Sequence, residues 1–148
     1  MNNDTPDVQE YAGFWRRFAA YLIDGVIVAF AVLQLRALWW AQMVSIYDID
    51  TLNKILTGVV STMTFLLTWV YTSGMESSPL QGTIGKLAVG LYVTDLQGQR
   101  ISFRKASGRY FGKILSGLIL SIGFIMAGFT ARKQALHDMM AGCLVMRK

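Results

Sequence analysis

Three long apolar stretches alternate with short, charge-bearing segments. Phe18 to Leu35 is an 18-residue run broken by one charge, Asp24, and Ile55 to Met75 is 21 residues with none. Ile114 to Ala131 is a third block of 18 uncharged residues, interrupted by Ser116, Gly117, Ser121, Gly123 and Gly128. A hydrocarbon core of about 30 Å takes roughly 20 helical residues, so the first two blocks are long enough to cross a bilayer. The pattern predicts an α-helical integral membrane protein with two firm transmembrane helices and a third, bent or re-entrant, apolar helical segment. Three buried core helices in a soluble chain of 148 residues would leave too little polar surface to cover them. Residues 1–12 read as a polar tail and 13–148 as the membrane domain. The tail carries Asp4, Asp7 and Glu10, the wrong sign for a signal peptide.

One region between the blocks has β character. Leu87 to Thr94 is apolar and β-prone, Asp95 to Gly98 has turn chemistry, and Ile101 to Phe103 can return as a second strand. This predicts a short cytoplasmic β-hairpin, to which Cys143 to Met146 could add a third strand if both lie on one side of the membrane. Next, Arg104, Lys105, Arg109 and Lys113 recur at nearly helical spacing among Tyr110, Phe111, Ile114 and Leu115. Such a basic amphipathic helix is expected to lie on anionic headgroups of the lipid bilayer.

Charge counting orients the chain. The segment 76–113 holds six Lys and Arg, against two in 36–54, so 76–113 is expected on the cytoplasmic side with the N-terminus. If the third block crosses, basic residues divide eight inside to six outside; if it dips and returns, twelve to two. The second arrangement follows the positive-inside tendency better, with a bend near Ser121 to Gly123.

Composition narrows the chemistry. With 53% hydrophobic and 16% charged residues, the chain is neither disordered nor an ordinary soluble domain. Its lone cysteine, Cys143, forms no internal disulfide, and one histidine, His137, makes a His/Cys metal site unexpected. No nucleophile elbow or phosphate-binding loop is present, so catalysis and cofactors are not expected. The pI of 9.6 needs no nucleic acid to explain it.

Asp24 is the outstanding polar residue. A carboxylate within a span is costly and calls for a partner. Arg17, seven residues earlier, returns to within about 20° of the same helix face, roughly 10 Å nearer the membrane surface. In the second block Thr57, Ser61, Thr64, Thr68 and Thr72 form a hydroxyl ladder at intervals of three and four. Two readings compete for it: close helix packing, or a wet path for a cation or proton. Gly108, Gly112 and Ser116 form a small-xxx-small series read as packing.

The segments FWRRFAAYLID (Phe14 to Asp24), QGTIGKLAVGLYVTDLQGQRISF (Gln81 to Phe103) and ALHDMMAGCLVM (Ala135 to Met146) resemble the RDD family of small bacterial membrane proteins. The family is named for one arginine and two aspartates, which fall on Arg17, with Arg16 beside it, on Asp24 and on Asp138. Cys143 stands where the family commonly has a small hydroxylated residue. The resemblance implies a multi-pass protein of the bacterial inner membrane. It also hints at transport, cation or proton exchange having been raised for some members. Two functions follow as expectations. In one, Asp138, Arg17 and Asp24 form a charge relay for a cation or proton, in a homo-oligomer because one copy encloses little. In the other, the chain is a non-transporting scaffold or accessory subunit and the three residues form a structural clamp.

Overall fold

The first two apolar blocks each grow into a helix longer than the run that predicts it. In the computed structural model, which describes residues 11–44, 47–118 and 122–148, α1 is Phe14–Met43 and α2 is Ile49–Ser77. At 1.5 Å per residue each is over about 40 Å long, enough to cross a bilayer. Asp48 starts α2, its carboxylate accepting the Thr51 N–H at 3.0 Å. Most side chains along both helices point outward, among them Val26, Phe30, Leu33 and Val70. These two are the helices among the described residues with the length and apolar character of a span.

The β region departs from the expected hairpin. Leu87 lies in a one-turn helix, α3 (Ile84–Ala88), and the strand β1 begins only at Leu91, after Gly90 turns the chain at φ +70°. The Asp95 to Gly98 turn forms as read, its carboxylate accepting the N–H groups of Gln97 and Gln99 at 3.0 and 2.8 Å. Ile101 to Phe103 does not return as a strand. Ser102 precedes α4 (Phe103–Leu118) and its hydroxyl accepts the Lys105 N–H, so Phe103 is spent on the helix. Instead β1 (Leu91–Asp95) pairs antiparallel with β2 (Cys143–Arg147), Val93 opposite Val145. The other edge of β2 takes up the start of the chain: Tyr11 bridges to Met146 and the Ala12 N–H donates to the Val145 carbonyl at 2.9 Å. Ala12, Ala20, Leu91, Val93, Ile101, Ala106, Cys143 and Val145 form the core beneath this ribbon.

The third apolar block is not one helix. It is divided between the end of α4, the short α5 (Ile122–Ile125) and a 3-10 turn, Met126–Gly128. Ser121, part of the expected bend, lies outside the described residues. Gly123 packs back on α4 so closely that a Cβ there would meet the Ser116 hydroxyl at 2.7 Å. The last helix, α6 (Leu136–Ala141), lies along α4, with Gly112 against the backbone and Cβ of His137. Of the expected small-residue series, Gly112 and Ser116 do pack, whereas a Cβ on Gly108 would meet open space.

Candidate functional site

Two polar sites form at the α1 N-terminal half. The first is built around Asp24. Gly85 opens α3 against α1 with no side chain between them: a Cβ there would stand 2.2 Å from the Ala20 carbonyl oxygen. This contact brings the N-terminal turn of α3 onto the Asp24 carboxylate. Oδ1 accepts the Gly85 N–H at 2.8 Å and the Tyr71 hydroxyl at 2.9 Å, and Oδ2 accepts the Thr83 hydroxyl at 2.5 Å. Tyr71 in turn accepts the Ile84 N–H at 3.0 Å. The acid on α1 is thus bound by one residue of α2 and by the entry to α3, with the orphan N–H groups of a helix start supplying part of its partners.

The second site is a buried ionic cluster of a size the sequence reading missed. Asp138, on α6, binds Arg17 through Oδ2 and the Arg109 Nε through Oδ1 at 2.7 Å, and Oδ2 also accepts the Ala135 N–H. Arg109 turns its Nη1 to Glu76 Oε2 at 2.7 Å, bridging the two acids. Glu76 Oε1 meets Lys86 of α3 and, at 3.4 Å, Lys113 of α4. Glu76 and Asp138 are fully buried and Arg109 is 1% exposed. Arg17 also donates to the Ala12 and Lys133 carbonyls, at 2.9 and 2.7 Å. Five helices, α1, α2, α3, α4 and α6, therefore converge on two carboxylates.

The cluster shifts its own titrations. Burial pushes the Asp138 carboxyl up, but Arg109 and Arg17 reverse this and hold it well below the usual carboxylate range. Burial disfavours the His137 imidazolium, and although Asp138 favours it, the surrounding cations leave the group depressed to about 3. His137 is therefore neutral at physiological pH.

The structure brings together two of the three residues singled out as a trio. Arg17, not the exposed Arg16, is the arginine that reaches Asp138. Among the described residues, Asp24 makes no hydrogen bond or ion pair with either and keeps its own set of donors. Of the hydroxyl ladder, Thr57 and Ser61 are exposed, and Thr64 and Thr68 donate to carbonyls of their own helix, Val60 and Thr64, both at 2.7 Å. It is Tyr71 that faces Asp24. The basic helix is also corrected: Arg109 and Lys113 turn inward to the acids, leaving Arg104 and Lys105 exposed. Their 109/113 spacing puts them on one face of α4, while Glu76 is the sole acid between Asp50 and Asp95, set at the end of an apolar run. A lone acid there, like Asp24, was the available sign of a buried partner.

A family model described as "RDD family" matches residues 11–142. The chain is similar to the uncharacterized protein YxaI of Bacillus subtilis (strain 168), 37% identical over 153 residues that cover 95% of this chain and all of that protein. It is also similar to the uncharacterized membrane protein YteJ of the same organism, 27% identical over 93% of this chain and 82% of that protein. No solved structure matches.

Proposed function

The chain belongs to the RDD family, and from that premise we propose that it is a non-transporting scaffold or accessory module of the bacterial inner membrane in which Arg17, Asp24 and Asp138 are structural clamps. The observation that carries this reading is the set of donors already bound to Asp24. Three donors from α2 and the entry to α3 already occupy its two oxygens, which leaves a mobile cation little to displace cheaply. The Arg17–Asp138 pair fastens the end of the chain to the start of α1 in the same way. In this reading the chain catalyses no reaction and needs no cofactor. Both termini and the segment 76–113 lie on the cytoplasmic side, supported by the six basic residues of that segment and by the Ala12–Val145 pairing of the two ends. Arg104 and Lys105, free of the internal acids, are left to meet anionic headgroups.

A second reading, proton-linked transport by a homo-oligomer, is favoured by one feature: the buried cluster has more cations than carboxylates, so that one of its lysines can give up a proton. Replacing Asp24 separates the two. For a clamp, Asp24→Asn lowers thermal stability in detergent micelles by about 2 kcal/mol, the order of one charged hydrogen bond. It leaves the vesicle interior, reported by a pH-sensitive dye, as unresponsive to a sodium or potassium gradient as with the parent protein. A parent protein that moves protons in response to such a gradient, together with an Asp24→Asn variant that melts normally and has lost this movement, overturns the clamp.

A further inference from the structure

Arg17 and Arg109 keep their charge at any pH a cell meets, and they balance Asp138 and Glu76 one for one. Lys86 and Lys113 therefore bring charge for which the cluster has no carboxylate left. Both reach the same atom, Glu76 Oε1, while Oε2 is held by Arg109. Two ammoniums on one oxygen repel each other, and a buried setting screens that repulsion poorly. Losing one proton relieves it, and the side chain with less access to water has more to gain. The Lys86 side chain is 11% exposed and that of Lys113 is 22%.

We propose that Lys86 is the reversible proton-binding site of this cluster, its Nζ losing a proton to solvent and regaining it while Lys113 and both arginines stay charged. The groups facing it are Glu76 from α2, Arg109 and Lys113 from α4, and Asp24 from α1, which binds the N–H of the preceding residue, Gly85. Asp138 and neutral His137 of α6 and Arg17 of α1 stand behind Arg109. Burial, then the positive charge of Arg109, depress Lys86 to about 7 against the pull of Glu76. The neutral amine keeps N–H donors, so its contact with Glu76 survives deprotonation. The folded chain then holds fewer protons than the unfolded one between about 7 and the ordinary lysine value of 10.5. Its stability therefore rises with pH across that window and has no slope from this group below it. This goes beyond the clamp reading and holds whether or not the protein transports anything.

The test is a titration of the whole chain in lipid nanodiscs, labelled with 13C at lysine Cε, from pH 5 to 10. One resonance is expected to titrate with a midpoint within about one unit of 7, to be absent in Lys86→Arg and to remain in Lys113→Arg. Lysine resonances that all titrate above pH 9, or a shifted one that disappears in Lys113→Arg instead, overturn the assignment. Because arginine at this position can prevent folding, Lys86→Met is followed by thermal unfolding between pH 7 and 10. It is expected to flatten the rise in stability seen in the parent; an equal rise in both overturns the proposal.

Discussion

The two ends of the long helices are held by different physics. At one end, one face of the first turns of α1 and the last turn of α2 is covered by the packed α3, α4, α6 and β1–β2 ribbon, and buried carboxylates are bound by cations and N–H groups from distant segments. At the other end Leu52 and Leu56 of α2 are buried, but the outward faces of both helices are bare: Phe30 and Leu33 are both 64% exposed, and a Cβ on Gly58 would meet nothing. An exposed apolar surface of that extent is stable only in lipid or against another helix. The protein is thus a polar, tightly determined base from which two apolar helices extend, and substitutions of the same chemistry are expected to have different consequences at the two ends.

The largest effect is expected from breaking the base at its charges. Asp138→Asn leaves Arg17 and Arg109 with one buried carboxylate fewer, and removal of one member of a buried ion network typically costs about 3–5 kcal/mol. Detergent-solubilised Asp138→Asn should be unfolded or aggregate on size exclusion at temperatures where the parent is monodisperse; an unchanged melting temperature would show that the cluster does not hold the base together.

Acid should loosen the same end more gradually. The folded-state value of His137 is depressed to about 3 from an ordinary 6.5, so between those limits the unfolded chain binds the extra proton. Stability is full above 6.5 and falls as the pH drops, by about 1.4 kcal/mol per unit, or about 2 kcal/mol by pH 5. Asp138, also depressed, adds its own loss only below the ordinary carboxylate value of 3.8. Melting curves between pH 7 and 5 should show this slope in the parent and a flatter one in His137→Gln; equal slopes would assign the acid sensitivity elsewhere.

The sharpest comparison uses one methyl group twice. Gly85→Ala places its Cβ 2.2 Å from the Ala20 carbonyl oxygen, so α3 must back away from α1 and release Asp24. Overpacking of this kind costs about 1–3 kcal/mol. Gly58→Ala adds the same atom to open space on α2 and should be neutral or stabilising by up to about 1 kcal/mol. If both variants melt alike, the contrast between the two ends is lost.

Much of the architecture was legible along the chain because it depends on neighbours in sequence. The two long helices follow from extended apolar runs, the first broken only by Asp24, the Asp95 to Gly98 turn from local side-chain chemistry, and the importance of Arg17, Asp24 and Asp138 from charges set beside apolar segments and from the family motif. What misled was also local: Leu87 to Phe103 has the composition of a hairpin, yet α3 and the Ser102 start of α4 claim its two ends.

Partners were decided by tertiary structure alone. Arg17 meets an acid 121 residues away, Arg109 bridges acids on α2 and α6, and Asp24 is met by the backbone of a segment 61 residues on. Hydropathy records which side chains must leave water but is blind to the direction each one faces once helices pack. A buried charge accepts any opposite charge or N–H brought within reach, so its sequence context states the need for a partner and the packing of distant helices selects which one answers it.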